Sequence, residues 1–321
     1  MNTATPAPVH VPGLDPVGGS EELELPFAKG HGTENDFVLV PDLGGHHPLS
    51  SAHVRFLADR RAGIGGDGVI RVAPTQASVE PEVQAQAAQA RWFMDYRNAD
   101  GSTAQMCGNG VRVFARYLVA HDLETGPEFS VATRAGLKAV RVDGEEITVG
   151  MGPWSRFGAP GLPPGGYDVL VAVPGVDPLP AMTLDLGNPH AVVALPESVP
   201  LDGLDLSRAP LLNPEPPDGI NIEFVETVAE GQLRMRVFER GVGETRSCGT
   251  GACAAVLAVL IWSGDVSTPL HTTHTWQVDV PGGRLKVRPR EDHTVDLAGP
   301  AVIVGEGTVR VPSWCDNLTG V

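Results

Sequence analysis

The sequence predicts an α+β fold: a mostly antiparallel sheet curled round one helix in each half of the chain. Three observations predict it. The 321 residues include 39 Gly and 29 Pro, which favours many turns and short strands over a helical bundle. Strand-like runs dominate, without the regular strand–helix alternation of a doubly wound parallel sheet. The pattern C-G-x-G, running straight into an apolar-faced helix, occurs at Cys107 and again at Cys248, 248 − 107 = 141 residues later and close to half the chain. One pattern at one structural place in each half points to internal duplication. The length also exceeds what one core usually accommodates, so two domains are expected.

The elements follow in order. Residues 1–22 are rich in Pro, Gly and acid and predict a flexible arm. They lack the basic start and apolar core of a signal peptide. "FAKGHGTENDFVLV" is the first strand signal, and "RAGIGGDGVIRV" is a glycine-rich turn entering a β-branched strand. "APTQASVEPEVQAQAAQA" (Ala73 to Ala90) is low in complexity and reads as an exposed loop insertion. "RWFMDYRNADGS" gives strand then turn. "MCGNGVRVFARYLVAH" gives a helix, with Val111, Phe114, Ala115 and Leu118 at i, i+3, i+4 and i+7. Strands return in "FSVATRAGLKAVRVDGEEITVGM". The Pro- and Gly-rich stretch from Gly152 to Pro180 is the expected passage into the second half. That half holds the strands "AMTLDLGNPHAVVAL", "INIEFVETV" and "QLRMRVFERG", then the Cys248 turn and its helix. Short strands close the chain: "RLKVRP", "VDLAG", "AVIVGEG" and "TVRVP".

Composition excludes several functions. The formal net charge is −16, a surface that repels nucleic acid and anionic membranes. The run "ACAAVLAVLIW" is about half of the ~20 residues a membrane span needs. Four cysteines, Cys107, Cys248, Cys253 and Cys315, are too few for a disulfide scaffold in a chain this long. A reducing cytoplasm, with free thiols, is the expected home.

The paired cysteines carry the chemistry. A helix N-terminus has unpaired N–H groups and a partial positive charge of roughly +0.5. A cysteine there is expected to have its pKa lowered from about 8.5 into the range of about 3.5–7.5. The glycines let the backbone approach a ligand closely, and the N–H groups of two such turns form a carboxylate cradle. Two thiols on opposite faces of an α-carbon make a two-base system that inverts a stereocentre without a cofactor. A lone cysteine in such a place reads more simply as a buried small residue. Cys253, five residues past Cys248, and Cys315 keep that packing role.

The blocks "KGHGTENDF", "GIGGDG", "NADGSTAQMCGNGVR", "GNPHAVV", "NIEFVE" and "ERGVGETRSCGTGACA", in this order from Phe27 to the C-terminus, resemble the diaminopimelate epimerase family. The resemblance implies a cofactor-independent epimerase converting LL-2,6-diaminopimelate to the meso form, in lysine and peptidoglycan precursor synthesis. It implies two similar domains, each a β-barrel-like sheet around a central helix, with the site between them. The C-terminal strands would return to the first domain, giving 23–151 plus 301–321 as one domain and 152–300 as the other. It also implies a homodimer. By the same resemblance Cys107 and Cys248 are the acid–base pair, and Gly108, Asn109, Gly249 and Thr250 cradle the carboxylate at the reacting centre. Asn35 and Asn188 contact substrate polar groups, and Asn98, Asn221 and Arg240 read the distal amino-acid end. Glu239 partners a substrate ammonium, and with His190 tunes the thiols.

The residue types suit that substrate. Asparagine both donates and accepts, and arginine grips a carboxylate through two N–H groups. Read without the family, an asparagine in a G-N-P or N-A-D-G turn is a turn residue. The sequence departs from the family at Gly68, where some members have glutamine, and at Val113 and Phe114, near which many members have a further cysteine.

Other signals carry less. "GIGGDG" precedes a strand and lacks Lys-Ser or Lys-Thr, against nucleotide binding. "HTTHTW" near His271 lacks metal-ligand partners at useful spacing, and no metal is expected. "NLT" at Asn317 matters only in a secreted protein. A Cys–His hydrolase built on Cys248 and His190 leaves Cys107 unused. A disulfide switch between Cys107 and Cys248 is the competing non-enzymatic reading. A proline or hydroxyproline racemase shares the expected architecture, but Arg240 and the asparagines favour a substrate with a second charged end.

Overall fold

A computed structural model describes residues 23–157, 166–264 and 274–312 together with Cys315. The arm expected over 1–22, part of the 153–180 stretch, His271 and the motif at Asn317 lie outside the described residues. In the first half, β1 (Leu23–Gly32) and β2 (Asn35–Pro41) lead through α1 (Ser51–Ala58) to β3 (Gly68–Pro74), the short α2 (Pro81–Gln84) and β4 (Trp92–Asn98). Then come α3 (Gly108–Ala120), β5 (Glu128–Val131), β6 (Lys138–Asp143) and β7 (Glu146–Pro153). The second half holds β8 (Ser155–Arg156), β9 (Val169–Ala172), β10 (Leu179–Asp185), β11 (Pro189–Ala194), β12 (Leu211–Asn213), β13 (Asn221–Ala229), β14 (Gln232–Glu239) and β15 (Gly243–Thr245). It ends with α4 (Gly249–Ser263), β16 (Trp276–Val280), β17 (Gly283–Pro289), β18 (Thr294–Pro300) and β19 (Val302–Val311).

The strand pairings repeat from one half to the other. In the first, β1–β2 is antiparallel, β2–β3 parallel and β3–β4 antiparallel. After α3 the chain returns parallel to β4 through the bridge Phe93–Ala132, and β5–β6 and β6–β7 are antiparallel. In the second, β10–β11 is antiparallel, β11–β13 parallel and β13–β14 antiparallel. After α4, β16 lies parallel to β14, and β16–β17 and β17–β18 are antiparallel. The duplication suggested by two short motifs thus runs through the whole strand order. The sheet is mostly antiparallel, as expected, with parallel pairs only where a crossover connects them, since parallel neighbours cannot be joined by a tight hairpin.

Five strands form one sheet in the order β19-β1-β2-β3-β4, and fourteen form the other. The second sheet crosses between halves, because β18 pairs with β7 from Thr294↔Pro153 to Pro300↔Glu146. The C-terminal strand β19 returns to β1, pairing from Leu23↔Val311 to His31↔Val302. Helix α3 packs against β1, β2, β3, β4, β7, β18 and β19, and α4 against β10, β11, β13, β14, β16, β17 and β18. Each helix is therefore ringed by its own strands, with β18 touching both. α4 is apolar on all sides and buried continuously from Gly249 to Ala258, as a central helix must be.

Several local readings change. The strand signal "FAKGHGTENDFVLV" is a hairpin, turned at Thr33 and Glu34 with φ of 52° and 61°. "AMTLDLGNPHAVVAL" is two strands, parted at Gly187 with φ 90°. "AVIVGEG" and "TVRVP" are one strand, β19. Helix α1 is additional to the one helix expected per half. Ser50 caps it by accepting from His53 N at 3.1 Å, and His53 Nδ1 accepts from Ser50 N at 3.3 Å. This is a capping box with histidine in place of the usual Glu or Gln. Residues 73–90 are not a free loop. Val83 and Ala90 pack with Phe93 and Ala132, and Gln86 Nε2 donates to Thr133 O at 2.9 Å.

Candidate active site

The two cysteines stand at equivalent helix starts. Cys107 is the N-cap of α3 with φ/ψ −138°/122°, and Cys248 is the N-cap of α4 with −125°/117°. The helical ladders begin at Val111 N→Cys107 O (2.9 Å) and Ala252 N→Cys248 O (3.0 Å), leaving the N–H groups of 108–110 and 249–251 ahead of them. Gly251 N donates to Cys248 Sγ at 3.4 Å.

The two starts abut. A Cβ on Gly249 would lie 3.1 Å from Asn109 Oδ1 and 2.7 Å from Leu297 Cδ2, and one on Gly108 3.0 Å from the same Leu297 atom. Asn109 Nδ2 donates across the halves to Ser247 O at 3.2 Å. The glycines are thus required by Leu297 of β18, which packs onto both turns, and at Gly108 equally by Met151, whose Cε would lie 2.9 Å from the added Cβ.

The expected low thiol pKa values are not found. Burial pushes the Cys107 thiol up to about 11; the Gly110 and Asn109 amides and the Arg112 guanidinium oppose the rise, while the Glu239 carboxylate adds to it. Burial, then Glu239 and Glu223, hold the Cys248 thiol well above the ordinary thiol range. The helix-start effect is present in both but is outweighed by desolvation and by carboxylates. Glu239 acts on both sulfurs, which places both in one electrostatic neighbourhood. Cys253 and Cys315 are buried, as packing residues are.

Around Cys107, Sγ donates to Asn35 Oδ1 at 3.6 Å, and Asn109 Nδ2 donates to the same oxygen at 3.1 Å. Asn35 Nδ2 donates to Asp67 Oδ2 at 2.6 Å. Around Cys248, Thr250 Oγ1 is 3.5 Å from Sγ, and Asn188 Nδ2 donates to that hydroxyl at 3.3 Å. Asn188 Oδ1 is 3.1 Å from His190 Nε2, whose Nδ1 is 2.6 Å from Glu223 Oε1. By hydrogen bonds His190 reaches Cys248 through Asn188 and Thr250.

Glu239 accepts from the Thr245 hydroxyl. Its own pKa is raised, by burial first. Asn221 is held by backbone, donating to Pro189 O at 3.2 Å and accepting from Arg240 N at 2.9 Å. The exposed Arg240 guanidinium donates to Asp218 O at 3.0 Å. Asn98 sits at the end of β4 opposite Gly68 and donates to Ser102 Oγ at 3.0 Å. The structure gathers Asn35, Asn109, Asn188, His190 and Thr250 around the thiols, while the half-buried Asn98 and the exposed Arg240 hold local partners.

Five residues of this neighbourhood were not singled out from sequence. Ser247 precedes Cys248 and meets Thr33 Oγ1 at 2.6 Å. Glu223 is fully buried and lies inside the block "NIEFVE". Arg112 is fully buried one helical turn after Asn109. Leu297 belongs to a strand with no motif. Tyr96 fills the space left at Gly68, where a Cβ would lie 2.5 Å from its Cε2; burial and the nearby Cys107 raise its phenol. Ser247, Glu223 and Arg112 had a signal, a polar residue inside a resembling block. Among the described residues no set of three or more His, Cys, Asp or Glu side chains is placed to hold a metal ion, and no helix is long and apolar enough to cross a membrane.

Solved structures share the fold. A hydroxyproline epimerase from Agrobacterium vitis, solved with trans-4-OH-L-proline, aligns with a TM-score of 0.61 at 15% identity, covering 90% of this chain and 93% of that one. A PhzF-family phenazine biosynthesis protein from Bacillus anthracis aligns with the same TM-score and identity, over 90% and 100%. In sequence, the family described as diaminopimelate epimerase matches residues 27–157 and 182–310. The diaminopimelate epimerase of Streptomyces coelicolor is 48% identical over 298 residues, 92% of this chain and 98% of its own. That of Thermobifida fusca is 48% identical over 289 residues, 89% and 98% respectively. Together these define the protein as a two-domain isomerase of the epimerase class. The chain belongs to the diaminopimelate epimerase family.

Proposed function

We propose that this protein inverts one α-carbon of LL-2,6-diaminopimelate to give the meso form, by a two-base transfer between Cys107 and Cys248 that needs no cofactor. The observation that carries this reading is the pair of thiols at abutting helix starts. One sulfur, as thiolate, takes the α-proton; the other, as thiol, returns a proton to the opposite face. The N–H groups of Gly108, Asn109, Gly249 and Thr250 hold the α-carboxylate, where negative charge also grows as the proton leaves. Asn35 and Asn188, already bonded to the elements beside the sulfurs, orient the reacting end. Asn98, Asn221 and Arg240 read the distal end.

The raised thiols fit a site activated by its substrate. Burial first, and the Glu239 carboxylate beside them, hold both thiols above the ordinary range. A substrate ammonium paired with Glu239 cancels that charge, so the carboxylate no longer opposes thiolate formation. His190, buried on Glu223, orders Asn188 and through it Thr250. The protein acts as a cytoplasmic homodimer in lysine and peptidoglycan precursor synthesis, with 23–151 plus 301–321 as one domain and 152–300 as the other.

The test is incubation with LL-diaminopimelate in D2O without added cofactor. Inversion with deuterium at one α-carbon is expected, and loss of about 10²–10⁴-fold or more in turnover for Cys107→Ala and for Cys248→Ala. Neither inversion nor deuterium uptake by the intact protein would overturn the reading. Turnover of proline but not diaminopimelate would reassign the substrate.

A further inference from the structure

Arg112 has a setting unlike that of the chain's other arginines. It is 0% exposed, in the first turns of α3. No carboxylate among the described residues lies within ion-pair distance of it. Nη2 donates to Asn109 Oδ1 at 2.9 Å and to Thr33 Oγ1 at 3.3 Å, while Nε and Nη1 have no hydrogen-bond partner among the described residues. The planar head sits in a slot cut by two glycines. A Cβ on Gly32 of β1 would lie 2.9 Å from Nη2, and one on Gly299 of β18 would lie 2.8 Å from Nη1. Burying a cation without a counter-charge is costly, yet the fold builds room for it directly behind the Cys107 turn.

Two consequences follow from the chemistry of the group. A guanidinium only donates, so Asn109 must turn its oxygen toward Arg112. Its Nδ2 is thereby aimed outward to Asn35 Oδ1 and, across the halves, to Ser247 O. The Asn109 amide that Arg112 holds shares the acceptor Asn35 Oδ1 with Cys107 Sγ, so the guanidinium stands behind the same hydrogen-bond cluster as the sulfur, and its charge favours the anionic form. Burial lowers the guanidinium's pKa to about 10, which leaves it cationic at neutral pH.

We infer that Arg112 is a positioning residue: it fixes the Asn109 amide at the start of α3 and supplies the standing positive charge against which an anion at Cys107 is held. The inference deepens the epimerase reading and rests on it for the part played in turnover. The charged and titratable groups that face Cys107 are Glu239 from β14, Tyr96 from β4 and Arg112 from its own helix. Arg112 faces Cys107 and, from α4, Cys253.

The experiment measures iodoacetamide alkylation of Cys107 in the full-length protein against pH, located by peptide mass mapping, beside thermal unfolding. Only thiolate reacts, so the rate at a fixed pH below the midpoint reports the charge around the sulfur. Arg112→Met is expected to slow Cys107 alkylation by about 3- to 10-fold, Arg112→Lys to restore it, and Glu239→Gln to quicken it. With diaminopimelate as substrate, Arg112→Lys is expected to raise KM more than it lowers kcat, since a lysine keeps the charge but not the grip on Asn109. A folded Arg112→Met protein with unchanged Cys107 alkylation overturns the inference. If Arg112→Met does not fold, the decision falls to Arg112→Lys: an unchanged KM overturns it, a raised KM with wild-type alkylation supports it. Because alkylation needs no turnover, failure of the epimerase reading leaves this arm readable.

Discussion

Cys107 and Cys248 occupy the same backbone position and differ in the charges near the sulfur. Glu239 acts on both. Arg112 favours only the Cys107 thiolate, and Glu223 opposes only that of Cys248. The duplicated frame is therefore electrostatically unequal around its two sulfurs. Glu223 makes the inequality testable. Its Oε1 meets His190 Nδ1 at 2.6 Å, its Oε2 has no hydrogen-bond partner among the described residues, and it is fully buried. Glu223→Gln removes a negative charge, and an anionic neighbour raises a thiol's pKa. The sign is thus downward for Cys248: at a fixed pH below its midpoint, Cys248 is expected to be alkylated faster than in the wild type. Stability is expected to fall by about 1–3 kcal/mol, because the amide meets His190 less well than the carboxylate does. Alkylation of Cys248 at the wild-type rate in a folded Glu223→Gln protein would show that the buried carboxylate does not govern that thiol.

The two helices invite a paired substitution, because their second glycines are equivalent in sequence and unequal in space. A Cβ on Gly110 would sit 3.4 Å from Cys107 Cβ and 3.4 Å from Ile70 Cδ1, ordinary contact. A Cβ on Gly251 would sit 2.6 Å from Glu223 Oε1. Alanine is the better helix former by up to about 1 kcal/mol, so Gly110→Ala is expected to leave stability unchanged or slightly raised. Gly251→Ala must displace a buried carboxylate and is expected to cost about 1–3 kcal/mol. Urea unfolding of both decides it, and equal stability of the two variants would remove the claim that Gly251 makes room for Glu223. Neither difference is legible in "CGNG" and "CGTG". What was legible at this scale were the helix starts, since glycine after a small N-cap and a regular apolar spacing are local signals. Helix α1 escaped because its capping box uses His53. The β1–β2 hairpin escaped because its turn is Thr33-Glu34, not Asn-Gly. The packing of 73–90 escaped because Val83, Gln86 and Ala90 are scattered through a low-complexity run. Arg112 escaped because the slot that buries it is made by Gly32 and Gly299, 299 − 32 = 267 residues apart. The motif residues of the candidate site could be read from resemblance; what Arg112, Ser247 and Glu223 do inside the same blocks depends on partners from distant segments and could not.

At the scale of the molecule the halves meet through the β18–β7 pairing, through the abutting helix starts, and through the turn of the β1–β2 hairpin. That turn reaches into the second half. A Cβ on Gly282 would lie 1.9 Å from Thr33 O, and Arg246 pairs with Glu34 while its Nη2 donates to Pro281 O at 2.8 Å. Thr33 is 3% exposed and holds φ 52°, a left-handed conformation that a β-branched residue adopts only under strain. Its hydroxyl donates to Gly32 O at 2.7 Å, lies 2.6 Å from Ser247 Oγ and accepts from Arg112 Nη2 at 3.3 Å. One strained residue thus ties the hairpin, the residue before Cys248 and the buried guanidinium together. Thr33→Gly sets two effects against each other. Relief of the left-handed strain is worth about 1–2 kcal/mol. Loss of the hydroxyl leaves the buried Ser247 and Arg112 short of a partner, at about 1–3 kcal/mol each, and glycine adds chain freedom to the unfolded state, about 0.5–1 kcal/mol. The losses win, so Thr33→Gly is expected to be less stable by about 1–3 kcal/mol in chemical denaturation. A local hairpin turn obeys the opposite sign, since there only the strain counts. A more stable Thr33→Gly protein would therefore mean that the turn belongs to the first half alone, whereas a less stable one identifies it as a tie between the halves.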